Sequence, residues 1–261
     1  MLNSLTLMDF LVLRKHFESK RYSPKNLGNL FILILLFQAL FLFLEYFIGG
    51  YSNFPFKENV LKTHLVISSL IGVISIVFII PKVNVRLQEI QFTLFILLSQ
   101  NLFGVSLYLL GLLALTASMT IERNTIFNLI IITLLVGILV LVTSSIRIYF
   151  LLINGKFRKG TIKDQIRSKW EATSVSVASI VIPVGIAITF ILRFLNENID
   201  LKNIDILITS TSFICVFYLM IFFLPEQLVL LYCKYRFDSF KFERNGRLKP
   251  VRDEDGNIIM D

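Results

Sequence analysis

Apolar and polar positions along this chain fall into long blocks instead of alternating at the period of a strand or an amphipathic helix. Six apolar runs dominate: Asn29–Gly49, Val60–Ile80, Phe92–Met119, Ile126–Phe150, Ser174–Leu195 and Ile206–Leu230. Each reaches the ~20 residues that a helix needs to cross a bilayer. In hydrocarbon every backbone N–H and C=O must find its partner within the segment, so continuous runs of this kind predict helices. A transmembrane barrel would instead show alternating segments of about ten residues. The expected fold is an all-α membrane protein with six transmembrane helices and both termini cytoplasmic.

Polar residues inside these runs are the candidate sites, because an ionisable or amide group at depth is costly. Glu45 lies about one turn below the outer end of the first span, His64 opens the second at the same level, and Arg193 closes the fifth there. Together they form a candidate outer-vestibule charge cluster for an ion, a proton or a charged ligand; a structural salt bridge explains the same residues. Gln38, Gln100 and Asn101 are candidate intramembrane polar residues. They serve either as hydrogen-bonding glue between helices or as the lining of a solute path. Gly104 and Gly111, seven apart on the third span, suit close helix packing.

The flanks divide the chain into residues 1–27, a six-helix domain over 28–232, and a tail over 233–261. Residues 4–19 are too short and too charged to span. They suggest an interfacial helix with Leu7, Met8 and Leu11 toward lipid and Arg14, Lys15 and Glu18 in water. No small-residue cleavage site follows a short apolar core, so the first span is expected to act as the insertion signal. Pro225 is expected to kink the last span or to start a new helix. Residues Glu226–Arg244 then continue as a helix along the inner face, with Gly246 as the stop. Glu226 either pairs with Arg147 or lies in the first turn of a new helix, where the helix dipole favours an acid. Asp255-Gly256 offers a hairpin turn, with disorder as the equal alternative.

Charge orients the whole. Of 26 Lys and Arg, 21 fall on the side holding both termini and five on the other, which the positive-inside rule reads as cytoplasmic termini in the plasma (cell) membrane. Arg158, Lys159, Lys163, Arg167 and Lys169 make a cytoplasmic basic patch. The net charge of +8 is therefore local, suited to a bilayer with an anionic inner leaflet and not to nucleic acid. Composition agrees: 55% hydrophobic, 13% aromatic, mean hydropathy +0.74. The Ile, Leu, Phe, Asn and Lys bias matches AT-rich bacterial genomes.

Chemistry-bearing motifs are sparse. His16 and His64, the only histidines, fall on opposite sides of the membrane, so they do not make a zinc pair. Neither a nucleophile elbow nor a phosphate loop occurs. No catalytic residue, metal or cofactor is expected. Cys215 and Cys233 are too far apart along one helix to bridge each other. Span count, orientation and a short helix at Leu5–Phe17 together resemble the membrane subunits of one class of ABC-type exporters. The tail beyond Lys241 is longer than that pattern needs. Two functions follow. One is a non-enzymatic membrane protein acting through protein contacts, as an accessory subunit of an export system or an immunity factor against a membrane-active toxin. The other is a transporter or permease subunit moving a small solute, peptide or ion.

Overall fold

The computed structural model describes residues 5–119, 121–158, 160, 204–252 and 258–260. Its helices are α1 (Leu11–Glu18, preceded by a short 3-10 turn at Leu7–Phe10), α2 (Pro24–Tyr51), α3 (Lys57–Val77), α4 (Pro81–Arg86), α5 (Gln88–Ser99), α6 (Leu107–Ser118), α7 (Arg123–Ile153) and α8 (Ile204–Arg236). A π-helical segment, Gln100–Ser106, joins α5 to α6. Two short antiparallel strands close the tail, β1 (Val251–Arg252) and β2 (Ile258–Met260).

Among the described residues, five helices are long and apolar enough to cross a membrane: α2, α3, the continuous α5–π–α6 rod, α7 and α8. The fifth predicted span, Ser174–Leu195, lies outside the described residues. The α5–π–α6 rod is the centre, 78% buried over its apolar stretch, with the others arranged around it. Their outer faces expose Leu36, Phe43, Val66, Leu70, Leu139 and Leu219. Apolar exposure on this scale would be a liability in water and is what hydrocarbon requires.

Close packing depends on small residues where rods meet. A Cβ on Gly111 would stand 3.1 Å from the Ser210 carbonyl oxygen and 3.3 Å from the Phe213 Cβ. One on Gly137 would meet Ile221 and Phe217. α6 and α7 thus seat α8 through glycines. α7 and α8 run parallel. Ile126, early in α7, packs in one cluster with Ile214 and Phe217, and Ile148 and Leu152, late in it, pack in another with Leu230 and Cys233.

One end of the bundle is capped by α1 together with the segment that follows α8. Phe10, Leu13 and Phe17 pack with Phe92, Leu152, Leu230, Phe240 and Phe242 in one buried cluster. This corrects the expected split of faces along the N-terminal helix, since Leu11 and Arg14 are both buried against the bundle. Arg14 is only 1% exposed. Its guanidinium donates to the carbonyls of Ser239 (3.2 Å) and Lys249 (2.9 Å), and it pairs with Glu18 at 3.3 Å. Charge does not keep α1 in water, because the tail supplies the carbonyls that satisfy it. Lys234 is likewise fully buried; its ammonium faces the rings of Phe17, Phe242 and Phe92 at 5.0, 5.3 and 5.6 Å.

The tail departs from expectation in other ways. α8 passes through Pro225 without a break and ends at Arg236, well short of Arg244. Gly246 stops no helix. With φ +80° it shapes the turn between Phe242 and Leu248, which form an antiparallel bridge. β1 and β2 pair antiparallel, and the expected turn at Asp255-Gly256 lies outside the described residues. Glu226 lies 3.8 Å from His16, while Arg147 stacks 4.4 Å from the Phe222 ring instead of pairing with Glu226.

Candidate functional site: a polar seam through the bundle

Two polar layers stand one above the other where α2, α3 and the central rod meet. On α2, Gln38 and Glu45 are seven apart and share a face; on α3, His64 and Ser68 are four apart and do the same. The sequence therefore delivers two matched pairs to a single seam.

The layer nearer the uncapped end is a carboxyl–imidazole contact. His64 Nδ1 lies 2.7 Å from Glu45 Oε2, with Glu45 0% and His64 5% exposed. Glu45 Oε1 and His64 Nε2 have no hydrogen-bond partner. The carboxyl group fixes the orientation of the imidazole through Nδ1. His64 also lines a lateral cavity of about 500 Å³ between α3, α6, α7 and α8, walled by Val60, Ile67, Tyr108, Leu109 and Phe217. Of the expected cluster, Glu45 and His64 come together; Arg193 lies outside the described residues.

The second layer is a closed network. Asn101 Nδ2 donates to Gln38 Oε1 (3.0 Å) and to Ser68 Oγ (2.8 Å), and Gln38 Nε2 donates to Ser106 Oγ (3.0 Å). Four side chains from three rods satisfy one another out of water. The π-helix makes this possible. Asn101 and Ser106 are five apart and sit about 140° from each other around a regular α-helix. The i→i+5 pattern of a π-helix swings them toward one face, so both reach Gln38. Gln100 points elsewhere: its Nε2 donates to the Met220 carbonyl and to Gln227 Oε1, both at 3.1 Å. A further hydroxyl cluster links α6, α7 and α8, with Tyr108 and Thr133 2.8 Å apart and Tyr218 donating to the Thr133 carbonyl.

Sequence reasoning misses Ser68 and Ser106, since a lone serine in an apolar run carries no signal of what it faces. In the basic patch, Arg158 Nε donates to Asp9 Oδ1 at 2.7 Å and so ties the α7 exit to the N-terminal turn. Burial pushes the Asp9 carboxyl up, but the hydrogen bonds from Arg158 and from the Thr6 amide and hydroxyl outweigh it and hold it below the usual range. Lys159, Lys163, Arg167 and Lys169 lie outside the described residues. Among the described residues, no three His, Cys, Asp or Glu side chains converge as a metal site would require. Comparison of the chain with known protein families, with curated proteins and with solved structures finds no match.

Proposed function

We propose that this chain is a six-span protein of the cell membrane, with its capped end in the cytoplasm, that works through contacts with other proteins and not through catalysis. The expected roles are an accessory subunit of an export system or an immunity factor against a membrane-active toxin. The observation that carries this reading is the closed network of Gln38, Asn101, Ser68 and Ser106. A solute path keeps polar groups free for water or cargo, whereas these amides are consumed in joining helices.

Two observations support the topology. Among the described residues, only Lys57, Lys62 and Arg123 of the Lys and Arg lie toward the uncapped end; the rest lie in the capped half. That asymmetry favours a cytoplasmic cap. Because α7 and α8 are parallel, the chain leaves α7 at the capped end and enters α8 at the other. The apolar run Ser174–Leu195 is long enough to account for the extra crossing.

The test is purification in mild detergent, comparing the natural chain with Lys156→Glu, Arg158→Glu and Arg247→Glu combined. Contact function predicts a stoichiometric protein partner that the reversed charges release. A chain that keeps its biological effect with no partner bound overturns the reading. Transport is the second reading, favoured by the buried Glu45–His64 pair beside a cavity. Proton-coupled flux in liposomes, abolished by His64→Gln, would establish it.

A further inference from the structure

A second cavity of about 1140 Å³ opens at the capped end, where three segments far apart in sequence meet. The loop into α2 brings Lys20 and Lys25, α4 brings Lys82 and Arg86, and the tail turn brings Arg244 and Glu243. Five cations face one acid. The five are exposed, and none is in an ion pair among the described residues. The acid is already engaged, since Asn245 Nδ2 donates to Glu243 Oε2 at 2.8 Å.

The walls are fixed in place. Lys20 adopts a left-handed backbone (φ +58°), and its carbonyl accepts from Asn26 Nδ2 at 2.8 Å, while the Ser23 hydroxyl caps Asn26 N. The tail turn is held because Phe242 bonds through both its backbone groups to Gln88. Like charges brought together by the fold repel one another, and a bound anion relieves the repulsion.

From this we infer that the cleft binds the phosphate-bearing headgroup of an anionic phospholipid. The lipid source follows from what adjoins the cleft. Lys25, Ile32 and Leu36 share one face of α2 at sevenfold and elevenfold spacing, Ile32 and Leu36 being exposed. Val77 and Ile80, just before α4, are exposed as well. A cationic cleft that runs on into an uncovered apolar face fits a headgroup with its acyl chains, and a free phosphate would leave that face unused. Placing this lipid in the inner leaflet rests on the orientation proposed above. The binding does not, and it is measured in detergent, so failure of the topology leaves it standing.

The test is native mass spectrometry of the full chain titrated with phosphatidylglycerol, phosphatidylcholine or glycerol phosphate, with melting temperature as a second readout. One phosphatidylglycerol should bind in preference to phosphatidylcholine and raise the melting temperature. Lys25→Gln, Lys82→Gln and Arg86→Gln combined should weaken it by roughly tenfold or more, with the lipid-free melting temperature no lower than that of the natural chain. Arg236→Gln, an exposed charge at the same end but outside the cleft, should bind as the natural chain does. Equal binding of phosphatidylcholine, displacement by glycerol phosphate at matching concentration, or undiminished binding by the triple variant would each overturn the inference.

Discussion

Gln88 and Phe242 exchange two hydrogen bonds across 154 residues of chain: the Gln88 amide donates to the Phe242 carbonyl at 3.1 Å and accepts from its N–H at 2.8 Å. A side chain of the central rod thus takes the place of a neighbouring strand for the tail. Gln88→Leu leaves both backbone groups buried without partners, each costing ~1–3 kcal/mol. The expected result is early protease cleavage in residues 237–252 while the spanning helices stay protected. Tail cleavage at the natural rate would show that Gln88 does not hold it.

Glu45 and His64 should lose stability unequally in single and double variants. Removing one partner strands a buried polar group, at ~1–3 kcal/mol. Glu45→Leu combined with His64→Leu should therefore be less destabilised than the sum of the two alone. Strictly additive losses in thermal unfolding would refute the pairing.

The polar network predicts a graded outcome at Asn101. Asn101→Leu breaks two side-chain hydrogen bonds, at ~0.6–1.7 kcal/mol each within a membrane, and leaves Ser68 and Gln38 short of a donor. Ser106→Ala breaks one bond and should cost about half as much. Equal melting temperatures for the two would count against the π-helical alignment.

Glycine contacts give the cleanest steric contrast. At Gly111 the nearest atoms are the Ser210 backbone and the Phe213 Cβ, so Gly111→Val should force α8 away and cost ~1–3 kcal/mol. At Gly50 nothing lies within 4 Å, so Gly50→Ala should be neutral or slightly stabilising.

The cap should be sensitive to both acid and base. Asp9 has its folded pKa lowered, so its contribution is present above the unfolded value near 3.8 and is lost as pH falls through the folded one. Burial pushes the Lys241 ammonium down, but Asp238 and Glu89, 3.1 and 3.3 Å away, outweigh it and raise the pKa. Its contribution is present below the unfolded value near 10.5 and is lost as pH rises through the folded one. Hydrogen exchange of the Leu7–Phe10 turn should accelerate below pH ~4, and that of the Asp238–Phe240 turn above ~10.5. Asp9→Asn should abolish the acid limb alone.

The long apolar helices are legible in the sequence because continuous apolar runs of that length suit no other element, and Glu45 and His64 are legible because both interrupt such runs at one level. The Gln38–Asn101 contact is legible as helix glue. Its full membership is not, since Ser106 joins only through a π-helical turn that no local pattern signals. α1 misleads for a physical reason. A segment with Arg14, Lys15 and Glu18 scores as wet, and only the carbonyls of Ser239 and Lys249, more than two hundred residues later, make burial of Arg14 affordable. Gly246 misleads similarly, because a positive-φ glycine serves a hairpin turn as well as a helix end.

That dependence of α1 on the tail has a bearing on biogenesis. A ribosome delivers Phe10, Arg14 and Phe17 more than two hundred residues before Ser239, Phe240 and Lys249, so α1 waits through the synthesis of the helices between them before its partners arrive. Until then it displays aromatic rings and an unmet guanidinium, the kind of surface that chaperones and membrane proteases engage. Docking of Ser239, Phe240 and Lys249 covers that surface, so a chain stalled or cut before Phe240 keeps it exposed.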